Sequence, residues 1–87
     1  MKAVITVIGK DMVGILAKVA TTCAEANANV LEVTQSVLQE YFAMVMLVDI
    51  TEMNTDIAGL TVALEKNVRG MNIHVMHEDI FNSMHRI

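Results

Sequence analysis

The stretch Gly9-Lys10-Asp11-Met12-Val13-Gly14-Ile15-Leu16 is where this chain is best equipped to hold a small polar molecule. It joins a β-branched run to a segment of helical periodicity, so it leads into a helix N-terminus. Unpaired backbone N–H groups and the helix dipole favour a carboxylate or other anion there. Gly14 has no Cβ, which lets a ligand or a neighbouring chain come close to the backbone. Asp11 can accept hydrogen bonds from an ammonium group, and an amino acid carries both complementary charges. The same residues also suit a plainer role, with Asp11 as a helix cap and Gly14 easing a tight turn. Local chemistry alone favours that role, because caps far outnumber ligand sites.

Other reactive side chains are less well placed. His74 and His77 are three apart in a strand-like segment, point to opposite faces and do not converge on one metal. Cys23 falls on the apolar stripe of a helix with no neighbouring base to ionise it, which reads as core. No Ser-His-Asp or paired-carboxylate arrangement follows from the spacing. The loop offers Lys10 but no Arg for phosphate chemistry, and Met12-Val13 stands where a metal carrier of similar plan has CxxC. No catalytic residue, metal site or cofactor is therefore expected.

The elements that would position the loop follow from periodicity. Lys2 to Ile8 reads as a strand ending at Gly9. Gly14 to Asn27 reads as a helix with Ile15, Leu16, Val19, Cys23 and Ala26 on its apolar stripe. From Val30 the period becomes two, with Leu31, Val33 and Val37 alternating with Glu32, Thr34 and Ser36. Gln35 interrupts the apolar side and suits a polar pair across a dimer seam better than a ligand contact. After the weak turn Gln39-Glu40, Tyr41 to Ile50 is apolar almost throughout. Asn54 or Thr55 suits the cap of a second helix with Ile57, Leu60, Thr61, Leu64 and Val68 on one stripe, and Gly70 ends it. Met71 to Glu78 reads as a fourth strand, and Ile80, Phe81, Met84 and Ile87 fall at helical spacing in a short tail.

The fold class is α+β: a ferredoxin-like βαββαβ plan over residues 1–87, one domain, with two helices on one face of a four-stranded antiparallel sheet and a helical tail. Patterning agrees with the strand order of that plan. The first and third strands are apolar on both faces, as central strands must be, while the second alternates and the fourth carries His74, His77 and Glu78.

Composition narrows function. The 87 residues are 54% hydrophobic and 18% charged, with mean hydropathy +0.48. That is apolar for a lone small domain and predicts surface buried against a partner. Tyr41, Phe42 and Phe81 are the only aromatics, and the net charge is −4, so a stacking or phosphate-binding surface for nucleic acid is not expected. One cysteine excludes an intrachain disulfide framework. No apolar run is long enough to span a membrane, and the expected location is cytoplasmic.

The Gly9–Leu16 motif, with Asn29-Val30 opening the second strand, resembles the signature of the ACT domain, a regulatory module of amino-acid metabolism. Val37-Leu38-Gln39-Glu40-Tyr41-Phe42 and Asp79-Ile80-Phe81-Asn82-Ser83-Met84-His85-Arg86-Ile87 resemble a family of standalone single ACT domains related to the glycine-cleavage repressor. The resemblance implies an amino-acid effector at a homodimer interface, between the first loop of one chain and the start of the second strand of its neighbour. Carried over by position, the loop supplies Asp11, Met12, Val13, Gly14 and Ile15, and the strand supplies Asn29, Val30 and Leu31. Val13 stands where many ACT domains have Pro, which leaves the loop less rigid. The expected partners are an effector, a second copy and a metabolic enzyme or transcriptional protein. The alternative is a ligand-free adaptor that docks a protein through its open sheet face or tail.

Overall fold

The computed structural model describes residues 1–10 and 13–84, with Leu38 described by its backbone alone. The elements follow as β1 (Lys2–Gly9), α1 (Ile15–Glu25), β2 (Asn29–Leu38), β3 (Tyr41–Asp49), α2 (Ile57–Asn67), β4 (Asn72–His77) and α3 (Glu78–Met84). The strands form one antiparallel sheet in the order β2-β3-β1-β4. The two strands that are apolar on both faces, β1 and β3, are the central ones, as their patterning predicts.

Cross-strand rows show where each side chain goes. Val33–Met46–Ile5–Val75 and Gln35–Met44–Val7–Ile73 lie on the face covered by α1 and α2. Ile5, Val7, Met44, Met46 and Val48 are fully buried there against Val19 and Cys23 of α1 and Leu60 and Leu64 of α2. Burial of each such side chain contributes about 2 kcal/mol of transfer free energy. Thr22 is the buried polar residue of this layer; its hydroxyl donates to the Lys18 carbonyl at 2.8 Å and accepts from Asn67 Nδ2 at 3.1 Å. That pair links α1 to α2.

The opposite face carries the rows Thr34–Val45–Thr6–His74 and Ser36–Ala43–Ile8–Asn72. The tail folds back onto it in the same chain: α3 packs against β1 and β4 and buries Val4. It covers only part of the face, since Ile8 stays 45% exposed and Val45 37%.

Two details differ from the sequence expectation. A bulge between Val30 and Glu32 takes Leu31 out of the alternation, so Val30, Val33, Gln35 and Val37 share the helix side. The second helix is capped by Asp56, not Asn54 or Thr55, with the Gly59 N–H donating to Asp56 Oδ1 at 2.7 Å. Asn54 is used elsewhere: its side chain donates to the Glu25 carbonyl at 2.9 Å and its backbone N–H to the Ala26 carbonyl, tying this loop to the end of α1. Helix α1 ends at Glu25, and beyond its cap Ala26 the chain turns away at Asn27, whose positive φ of 61° is one that Asn tolerates better than most residues.

Loss of the cap should register directly. Asp56→Ala is expected to lower unfolding free energy by about 1 kcal/mol, and Thr55→Ala by less than half of that, read as midpoint shifts in urea.

Candidate functional site

The loop after β1 begins at Gly9, over which Met71 lies so closely that a Cβ would run into the Met71 sulfur. Gly14 stands at the N-cap of α1 with φ 71° and ψ 3°, the left-handed region where glycine is unstrained. The first intrahelical bond runs from the Lys18 N–H to the Gly14 carbonyl at 3.0 Å. The N–H groups of Ile15, Leu16 and Ala17 therefore have no intrahelical acceptor, and glycine has no side chain to supply one. The contrast is α2, where Asp56 fills that role. Among the described residues, and apart from its two chain neighbours, no atom lies within 4 Å of the position a Gly14 Cβ would take.

Of the loop residues, Val13 is 80% exposed, whereas the Ile15 side chain is buried in the core and brings only its backbone to the site. Asp11 and Met12 lie outside the described residues. On the strand, Asn29 and Leu31 are exposed, while Val30 packs against the core.

Within one chain these two groups do not meet. Gly9 lies in register with Phe42, and Asn29 with Asp49, at the other end of β3. The rise of a strand puts them about 23 Å apart. Asn29 instead borders an open cleft of about 390 Å3 with Asn27, Asp49, Thr51 and Glu52. Asn27 Nδ2 donates to the Glu52 carbonyl at 2.8 Å, which fixes one wall. The Asp49 carboxyl is held below its ordinary value, first by hydrogen bonding from Thr51, whose N–H donates to Oδ1 at 2.9 Å, then by the N-terminal ammonium and Lys2. Sequence reasoning passed over this cleft. Asn27 reads as the end of the first helix, and Asp49 falls inside the run Tyr41 to Ile50 that reads as a strand.

The set-aside groups lie as expected. His74 is on the open face and His77 on the helix face. No group of three or more metal-binding side chains converges among the described residues, and no helix among them is long and apolar enough to cross a membrane. Cys23 is buried, and burial pushes its thiol up to about 11.

The βαββαβ order, with a four-stranded antiparallel sheet and two helices on one face, is the ferredoxin-like plan. The chain belongs to the ACT domain family, whose model matches residues 2–78. It is 47% identical over its full length to a UPF0237 protein of Clostridium perfringens, all of which it covers. Among solved structures it is similar to an ACT domain protein from Streptococcus pneumoniae, with 36% identity, TM-score 0.77 and 93% of each chain covered. It is also similar to the ligand-free regulatory subunit of aspartate kinase from Thermus thermophilus, with 28% identity and TM-score 0.63, covering 85% of this chain and 49% of that one.

Two outcomes follow from the geometry. Gly14→Ala forces an L side chain to φ 71°, so it is expected to cost about 1–2 kcal/mol of stability; Gly14→Asn should cost visibly less. For Cys23 the folded value lies above the ordinary one of 9.0. Its stabilising contribution is thus complete below pH 9 and is lost as pH rises toward 11. Cys23→Ala should remove that part of the alkaline loss, and native wild type should resist thiol reagents that label the urea-unfolded chain at once.

Proposed function

We propose that the chain is an amino-acid-responsive regulatory module that works as a homodimer paired edge to edge through β2. The observation that carries this reading is the separation just described. The loop and Asn29 lie at opposite ends of one sheet, so one chain holds only half of the site at either place. The row Val37–Phe42–Gly9 puts the C-terminal end of β2 at the loop end of the sheet. If two copies pair β2 to β2 in antiparallel fashion, the end of one strand lies beside the start of the other. Val13, Gly14 and the α1 N-terminus of one copy then face Asn29 and Leu31 of its mate, and this happens twice by symmetry.

The edge suits such pairing. β2 has a neighbour on one side only, and Leu31, Val33 and Val37 are exposed along it, Val37 at 58%. The exposed Leu16 and Tyr41 extend the apolar surface toward the loop. Gln35, on the same side as Val33 and Val37, gives the seam a polar pair that sets register. The effector carboxylate would take the open N–H groups of α1, with Asp11 and the Asn29 amide available to its ammonium. Effector contacts drawn from two chains favour one dimer geometry over others, and that differential affinity is what a metabolic enzyme or transcriptional partner would read.

A thermal-shift screen against the standard amino acids, with sedimentation on each hit, tests this directly. One or a few amino acids should raise the apparent melting temperature, as ligand bound only to the folded dimer must. The shift should vanish in Asn29→Ala, and both shift and dimer should vanish in Val33→Lys/Val37→Lys. A monomer that still responds would sink the interface site, and the absence of any response would favour the adaptor reading.

A further inference from the structure

The open face of the sheet divides along the strands into two unlike halves. α3 lies on the row Glu32–Leu47–Val4–Met76 and buries Val4. The rows nearer the loop, Thr34–Val45–Thr6–His74 and Ser36–Ala43–Ile8–Asn72, hold no Asp, Glu, Lys or Arg. A sheet face meant for water turns polar and charged residues outward. This half instead presents a flat, neutral surface of mostly short side chains, with the exposed Ile8 and Val45 on its two central strands. The other half is a ridge. α3 stands one helix thick, about 10 Å, and turns Ile80 and Met84 outward, 55% and 64% exposed and four apart on one side of the helix. One face thus carries an apolar ridge and, beside it, an uncharged flat.

We propose that this face seats a second copy of the chain, turned end for end, so that α3 of each copy lies on the flat half of the other. Ile80 and Met84 of one chain then pack on Ile8 and Val45 of its mate, twice by symmetry, and each α3 serves two sheets at once. Charge selects this orientation. Glu32 and Glu78 flank α3. A head-to-head approach would set these carboxylates against each other, whereas the end-for-end approach sets them against the uncharged half. The area agrees with a modest contact. Four strands and the eight residues of β1 make a face of about 19 by 27 Å. Two copies pressed together remove about 1,000 Å2 of surface, the lower limit for a specific interface. One such contact holds two monomers weakly, and two acting together hold firmly. Here the inference rests on the proposed function: a pair joined edge to edge through β2 presents two open faces on the same side. Two pairs then meet back to back through two contacts and make a tetramer. The effector takes no part in this contact.

Sedimentation equilibrium of the full chain over a concentration series tests this. Wild type should pass from dimer to tetramer as concentration rises. Ile8→Glu and Ile80→Lys each bury an unpaired charge in the contact and should raise the dimer–tetramer dissociation constant about a hundredfold. Both positions are about half exposed in the single chain, so urea midpoints should stay close to wild type. The combined Ile8→Glu/Ile80→Lys should recover the tetramer, because the two residues meet across the contact. Val33→Lys/Val37→Lys should be monomeric, having lost the pairing that doubles the contact. A wild type that stops at the dimer, or a tetramer untouched by Ile8→Glu, would overturn the proposal, and an effector response in those same samples would leave the β2 seam standing. A monomer at every concentration would overturn the seam and this contact together. Flotation of wild type with phosphatidylcholine vesicles, lost in Ile8→Glu, would give the face to a membrane and overturn the proposal as well.

Discussion

The antiparallel register of β1 against β3 is the constraint on which the other features depend. Ile5 opposite Met46 and Val7 opposite Met44 place four large apolar side chains in the rows that the helices cover. A slip of β3 by one residue would put Val45 and Leu47 there and send the buried methionines to the other face. With that register set, β2 and β4 can only be edges, and the two βα turns must fall at fixed ends of the sheet. The site follows from this pairing as much as from its own residues. The loop leaves the end of β1, β2 begins at the far end of β3, and no side-chain movement in one chain closes about 23 Å.

The same register explains why the molecule has surface to spare. Two helices of eleven residues cover one face of the central strands and leave part of β2 open, where the helix-side residues Val33 and Val37 remain exposed. On the other face α3 reaches β1 and β4 but not β2. Both uncovered regions therefore lie toward the β2 side, one on each face. They differ in chemistry. The helix-side strip is apolar with a single amide at Gln35 and suits pairing with a like surface. The open-face groove has the carboxylates Glu32 and Glu78 in its lining, which resist pairing with a like surface by mutual repulsion.

Much of this was legible in the chain. Strand count, order and the central positions of β1 and β3 followed from which runs are apolar on both faces, and that signal survives because buried strands leave no choice of residue. Cys23 as core followed from its place on the α1 stripe. The bulge at Leu31 did not show, because one extra residue in an edge strand changes phase without changing composition. Nor did the cap at Asp56, since Asn54, Thr55 and Asp56 are all good caps and tertiary bonds from Asn54 to α1 decide among them. The cleft around Asn29 was invisible for a related reason. Asn27 and Asn29 come from one chain segment and Asp49, Thr51 and Glu52 from another, and only the β2–β3 pairing brings the two together.

The contrast between the two long helices carries the functional argument further than the loop motif alone. Both begin beside a turn, yet α2 has a carboxylate on its first N–H groups and α1 has a glycine in a conformation that asparagine would tolerate. A capped α1 would be more stable by about 1 kcal/mol. A side chain cap would also fill the place where an incoming carboxylate can bind. Under the proposed function, a helix start without a side-chain cap leaves its N–H groups to an incoming carboxylate at a modest cost in stability, and a ligand that satisfied them would return the difference on binding, making stability itself responsive to the effector. If a second chain supplies the matching strand, that return is available only to the assembled pair, and ligand would be coupled to assembly without any moving part in the fold.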